Sequence, residues 1–137
     1  MISRGALLDT GPLVALLSLK DAQHDRAKHL FATCEAPLRT CEAVVAEACF
    51  LMRQVDPDGP AEVVALARKG LYDIALSIEA DWPELEQLLR KYKNRRISLA
   101  DACLIRCAER NNEPRILTFD GDFRIYRWAR NKPFQIL

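Results

Sequence analysis

The stretch Gly5-Ala6-Leu7-Leu8-Asp9-Thr10-Gly11-Pro12-Leu13-Val14-Ala15-Leu16-Leu17-Ser18-Leu19 decides the fold. Gly5 to Leu8 is a short apolar run that stops at a carboxylate, as a buried strand does on reaching the rim of a sheet. Pro12 to Leu19 reads as a short helix, with Thr10 as its cap and Pro12 in its first turn. The same order of apolar strand and acid returns in Arg115-Ile116-Leu117-Thr118-Phe119-Asp120. Between the two, apolar runs alternate with amphipathic stretches. Residues 22–35 are helical, with Ala27, Leu30, Phe31 and Cys34 at helical spacing, and Leu38 to Thr40 is a strand. Helices follow from about Glu42 to Val55 and from Gly59 to Leu71. Ile74 to Ile78 is a strand, and Trp82 to Tyr92 and Ser98 to Asn111 are helices. A short helix at 122–129 and a strand from Phe134 to Leu137 close the chain. Turn signals at Asp56-Pro57-Asp58-Gly59-Pro60, Lys93-Asn94-Arg95-Arg96, Asn111-Asn112-Glu113-Pro114 and Asn131-Lys132-Pro133 separate these elements.

Strands separated by helices require crossover connections. The pattern therefore predicts an α/β fold with a largely parallel sheet and helices on both faces. Ligands of such sheets gather beyond the carboxyl ends of the strands, where strand order reverses. Asp9 and Asp120 follow directly on two of those strands.

The 137 residues suit one domain spanning 1–137, without repeats or low-complexity segments. Half of them are hydrophobic and the formal net charge is +1, which excludes a protein that holds nucleic acid by bulk positive charge. No apolar run approaches the ~20 residues of a membrane span, and the N-terminus carries no small-residue cleavage site, so a cytoplasmic location is expected. Cys34, Cys41, Cys49, Cys103 and Cys107 are odd in number and form no Cys-x-x-Cys pair. They read as buried free thiols; a zinc site using Cys103, Cys107 and a histidine lacks a second ligand pair of usual spacing.

In Ala43-Val44-Val45-Ala46-Glu47-Ala48-Cys49-Phe50-Leu51-Met52, Glu47 is the one polar residue in the run. A helix places Ala43, Val44, Phe50 and Leu51 around it. The expectation is a carboxylate at least partly buried, and so neutral, paired or metal-bound; a salt bridge or a carboxylate at the helix edge would also satisfy it. Asp101 repeats the pattern in Leu99-Ala100-Asp101-Ala102-Cys103, although Ser98-x-x-Asp101 also fits a capping box. Asp9 also suits a turn or a helix cap, while Asp120 ends its strand and Asp122 suits the cap of a helix starting at Phe123. Converging carboxylates repel unless protons or a cation neutralise them. Oxygen donors without a matching Cys/His set point to Mg²⁺ or Mn²⁺, as one ion or two.

These four segments in this order resemble the PIN-domain nucleases, and most of all the VapC-type toxins of bacterial toxin–antitoxin pairs. The resemblance covers essentially the whole chain. It implies a three-layer α/β/α fold with a five-stranded parallel sheet and a metal-dependent endoribonuclease. Position by position, Asp9, Glu47, Asp101 and Asp120 match the family's catalytic, metal-binding acids. Asp122 matches an accessory acid, and Thr118 a hydroxyl beside the site. Asp21-x-x-His24 matches a further family pattern, with His24 read as structural. A cognate antitoxin and a homodimer are implied as partners, together with an RNA substrate. Leu13, Leu16 and Leu17 are candidates for a dimer face or for core packing.

RNA backbone contacts are expected from Arg90, Lys91, Lys93, Arg95, Arg96, Arg124, Arg127 and Arg130, which read equally as solvated charge. Other readings are a PIN nuclease that processes RNA without being a toxin, and a non-catalytic α/β regulatory or binding module. A receiver-type module needs an acceptor Asp after the third strand, where Ser77-Ile78-Glu79 stands. A haloacid-dehalogenase-type phosphatase needs Asp-x-Asp after the first strand, where residue 11 is Gly.

Overall fold

Leu7 and Leu8 are neighbours in sequence and enter different cores. A strand alternates its side chains between the faces of a sheet, so two leucines in succession signal a strand buried on both sides. Ile116 and Leu117 divide in the same way. A computed structural model describes residues 3–137. Its strands are β1 (Ser3–Arg4), β2 (Leu7–Leu8), β3 (Cys34–Glu35), β4 (Leu38–Thr40), β5 (Tyr72–Ile74), β6 (Arg115–Leu117), β7 (Arg127–Trp128), β8 (Lys132–Pro133) and β9 (Gln135–Ile136). The helices are α1 (Thr10–Leu17), α2 (His24–Ala32), α3 (Glu42–Arg53), α4 (Gly59–Arg68), α5 (Trp82–Lys91) and α6 (Leu99–Asn111).

Five strands form one sheet in the order β5-β4-β2-β6-β9, and every pairing is parallel. The expected α/β fold with a five-stranded parallel sheet is what forms, flanked by six helices. The core on one face takes Leu8, Leu13, Ala48, Met52, Val63 and Leu117; the core on the other takes Leu7, Leu85, Leu104, Ile116, Phe123 and Tyr126. The chain leaves β2 for β4 and β5 on one side, then returns at β6 on the other. Strand order therefore reverses at β2, and the carboxyl ends of β2 and β6 border the switch point.

Several elements differ from the sequence expectation. The third sheet strand is Tyr72–Ile74, ahead of the expected 74–78, because Tyr72 is the buried anchor and its hydroxyl donates to the Val63 carbonyl at 2.7 Å. Residues 78–81 form a 3-10 turn instead. The helix expected at 122–129 is a 3-10 turn over Gly121–Arg124 followed by the β7–β8 hairpin. Ala129 and Arg130 turn that hairpin with φ of 45° and 79°, which side chains other than Gly, Asn or Asp rarely adopt. A buried ionic network holds the hairpin. Asp81, whose side chain is fully buried, accepts from Arg106 and Arg110; Arg106 also pairs with Glu109, which accepts the Ala129 N–H at 2.8 Å.

Leu13 packs in the core. All five cysteines are free thiols, with Cys41, Cys103 and Cys107 buried. His24 is structural, as expected: its Nδ1 hydrogen-bonds with the Ala15 carbonyl at 2.7 Å. No helix of the described residues is long and apolar enough to cross a membrane.

Candidate active site

Asp9, Glu47, Asp101 and Asp120 line one cleft of about 300 Å³, together with Thr10, Gly11, Leu51 and Phe119. Among the described residues, no lysine, arginine or histidine lines it. Two of the acids come from strand ends and two from helices, and the local reasons differ for each.

The Asp9 N–H donates to the Leu117 carbonyl at 3.0 Å, extending the β2–β6 ladder by one residue, and the chain then turns into α1. Asp9 itself caps that helix through Oδ1, which accepts from the Thr10 N–H at 2.8 Å, so Thr10 is the first helical residue and not the cap. Its other oxygen accepts from the Thr118 hydroxyl at 2.6 Å. The Thr118 oxygen accepts in turn from the Asp120 N–H at 3.0 Å. One buried hydroxyl thus ties the carboxylate after β2 to the backbone after β6. Asp9 is 7 % exposed. Burial lifts its pKa from 3.8 to about 7; the Thr118 and Thr10 hydrogen bonds oppose the rise, and the charges of Asp101 and Asp120 add to it.

Asp101 sits in the first turn of α6. The Ser98 hydroxyl caps the helix by accepting the Asp101 N–H at 3.0 Å, while Asp101 Oδ2 accepts from the Tyr126 hydroxyl at 3.1 Å. The capping role and a position in the cleft therefore coexist. Burial raises the Asp101 pKa, Tyr126 lowers it, and Asp120 and Glu47 raise it again. Tyr126 is itself fully buried, edge-on to Tyr92 and Phe123, and its hydroxyl is held protonated by burial and by the Asp101 charge.

Glu47 lies in the cleft, but not for the reason its sequence suggests. The buried stripe of α3 is Val44, Ala48 and Met52, at i, i+4 and i+8. Glu47 faces away from it and is exposed, and its neighbours Phe50 and Leu51 are 56 % and 37 % exposed. The apolar run covers more than the buried stripe of the helix, so apolar sequence neighbours do not bury this carboxylate. The nearly buried acid is Asp9.

Asp120 caps the 3-10 turn, with Oδ1 accepting from the Asp122 N–H at 2.9 Å. That is the role expected of Asp122, which instead lies inside the turn. Asp122 does not line the cleft; its carboxylate faces Arg95 at 3.9 Å. Of the basic residues expected to meet RNA, Arg90 is paired with Glu86, and Arg127 spends Nη1 on the carbonyls of Arg124, Ile125 and Tyr126. Lys91, Arg127 and Arg130 line a separate cavity together with Glu84 and Glu109. Arg124 stands beside Asp120 in a notch that also holds Arg26. Arg26 and Tyr126 carry no motif that marks them in the sequence.

The cleft's donors are carboxylate oxygens, which suit a hard divalent cation. A cation would also offset the penalty that burial places on the charged form of Asp9. Among the described residues, no three His, Cys, Asp or Glu side chains are disposed to close on an ion as they stand. The chemistry of the donor set therefore fits a cation, while enclosing one requires side-chain rotation toward it.

An open parallel α/β sheet with an acidic cleft at its switch point defines the class. The PIN domain model matches residues 6–129, and the chain belongs to the PIN domain family. Among solved structures, the chain is similar to VapC20 of Mycobacterium tuberculosis, a toxin described as cleaving the sarcin-ricin loop. The TM-score is 0.72 and the sequence identity 23 %, with 96 % of this chain and 100 % of that chain covered. That likeness is one of fold. No curated protein matches the sequence. PIN domains generally use a divalent metal.

Proposed function

We propose that this chain is a divalent-cation-dependent endoribonuclease, the toxin of a toxin–antitoxin pair, acting through Asp9, Glu47, Asp101 and Asp120. The observation that carries the reading is the meeting of those four carboxylates in one cleft without a cationic side chain. A phosphodiester is itself an anion and is repelled by such a cleft, so the acids serve hydrolysis only with a cation between them and the phosphate. When bound, Mg²⁺ or Mn²⁺ supplies the charge that draws in the phosphate and lowers the pKa of a water.

The chain's own residues provide placement. Thr118 fixes the orientation of Asp9 through a 2.6 Å bond, and Tyr126 fixes Asp101. Asp120 and Glu47 complete the donor set from exposed positions at the cleft's mouth. Asp122 acts from outside it, through its contact with Arg95. Membership of the PIN family supports the nuclease reading, and likeness to a toxin described as cleaving the sarcin-ricin loop supports RNA as substrate. The exposed apolar side chains Phe50, Val55, Val64 and Ile74 on α3, the turn after it, α4 and the edge strand β5 suit protein partners, an antitoxin or a second copy.

The test is cleavage of a structured RNA by purified protein with Mg²⁺ or Mn²⁺, and with EDTA. The wild type should cut only with the cation, and Asp9→Asn and Asp101→Asn should lose at least about 100-fold in rate, on the order of one essential catalytic group. Unchanged cleavage by both variants would overturn the assignment. Growth arrest on expression, relieved by a small protein encoded beside the gene, would support the toxin role.

A further inference from the structure

Beside the acidic cleft lies a smaller notch of about 120 Å³, lined by Arg26, Thr118, Phe119, Asp120, Gly121, Arg124 and Ile136. The two hollows share Phe119 and Asp120. Phe119 is the wall between them, half-buried, with the Arg26 guanidinium 4.8 Å from its ring centroid. Arg26 comes from α2 and Arg124 from the 3-10 turn after Asp120, so two segments far apart in sequence supply its two cations. Both arginines are exposed, and neither forms an ion pair among the described residues, although both line the same notch as the Asp120 carboxylate. Their neighbours are spent differently: Arg95 faces Asp122, and Arg127 holds backbone carbonyls. Two guanidinium groups without an ion pair in a concave site suit a phosphate, which they bind through paired N–H donors.

We infer that Arg26 and Arg124 form a seat for the backbone phosphate next to the one that is cleaved, with Phe119 separating the two. The inference rests on the nuclease reading and adds the substrate's position to it. Adjoining hollows that share Phe119 can take successive phosphates of one strand, and the Phe119 ring gives the intervening nucleotide an apolar surface to lie against. The acidic cleft repels a phosphate when no cation is bound, whereas the notch attracts one. Substrate is therefore held first through the seat. Gly121 borders the notch, and a Cβ built on it meets nothing within 4 Å, so a larger side chain is accommodated at the notch's edge without disturbing the fold.

The test uses a fluorescein-labelled decauridine in EDTA, followed by anisotropy, so that binding is read without cleavage. Arg26→Ala and Arg124→Ala should each weaken binding about five- to tenfold. The double variant should flatten the slope of log K against log salt by about 0.7, the value for the one single-strand phosphate charge that the protein no longer neutralises. Gly121→Leu should weaken binding while leaving charge unchanged, and Lys69→Ala, on an exposed residue after α4 that lines neither hollow, should bind as wild type. Melting curves check that the variants fold. Wild-type affinity and salt slope in the double variant would overturn the seat, as would failure of the wild type to bind decauridine at all. The two claims separate in a parallel cleavage assay with Mg²⁺. Binding that depends on both arginines without any cleavage keeps the seat and removes the nuclease reading. Cleavage and binding indifferent to both arginines keeps the nuclease reading and removes the seat.

Discussion

Replacing Asp9 by Asn separates what this carboxylate does for the site from what it costs the fold. In the cation-free protein its pKa is lifted from 3.8 to about 7, with burial as the main cause. Below about pH 4 the group is protonated in the folded and unfolded chains alike. As pH rises from there to 7 the unfolded chain releases a proton that the folded chain retains. The folded state then binds more protons, so stability falls with rising pH by about 1.4 kcal/mol per unit. The accumulated loss approaches about 4 kcal/mol by pH 8.

Asn carries no charge at any of these pH values. Its carbonyl still accepts one hydrogen bond, but its NH₂ faces one of the two donors now supplied by Thr10 and Thr118, at a cost of about 1–2 kcal/mol. The variant should therefore be about 1–2 kcal/mol less stable than wild type at pH 4 and about 2–3 kcal/mol more stable at pH 8, crossing near pH 5. Urea unfolding in EDTA at several pH values measures this. Adding Mg²⁺ at pH 8 should stabilise the wild type more than the variant, because the ion compensates the buried Asp9 charge that the Asn lacks. A variant that is less stable by the same margin at pH 4 and pH 8 would refute the burial argument. Loss of cleavage alone would not rescue it.

Thr118→Val removes both the donor to Asp9 and the acceptor of the Asp120 N–H; it should cost about 1–3 kcal/mol in unfolding experiments and shift the Mg²⁺ dependence of cleavage to higher concentration. Asp81→Ala strands Arg106 and Arg110 beside an emptied buried position and should cost about 3 kcal/mol at pH 7. Arg110 above all holds the Asp81 pKa below its ordinary value, so this stability is present above about pH 4 and is lost as pH falls through the lowered pKa; the gap between variant and wild type should narrow on acid titration. Gly59→Ala places a Cβ hard against the Met52 carbonyl and should destabilise by about 1–3 kcal/mol in thermal melts by forcing α4 from α3.

The parallel sheet was legible because Leu7-Leu8 and Ile116-Leu117 are apolar on both faces and an acid stands close behind each strand. Those two acids were legible for the same reason: strand ends at a switch point are positions fixed by topology. Glu47 does line the cleft, but burial among apolar neighbours is not what puts it there, since a run of apolar residues on a helix does not say which of them face inward. The β7–β8 hairpin was not legible. Its turn uses Ala129 and Arg130 at positive φ, and it is held by Glu109, twenty residues upstream, in place of Gly or Asn. Arg26 and Tyr126 reach the site through packing between distant segments, which no local spacing records.

The last strand has a practical consequence. β9 runs parallel to β6, Ile136 borders the notch, and the Leu137 N–H donates to the Ile116 carbonyl at 3.0 Å. Anything fused behind Leu137 therefore leaves the molecule at the rim that carries Asp120. A polyhistidine tail there would hang imidazoles beside a carboxylate cleft and import its own transition metal. Material for metal titrations is better purified by a handle at the other end, or with the tail removed before the first measurement.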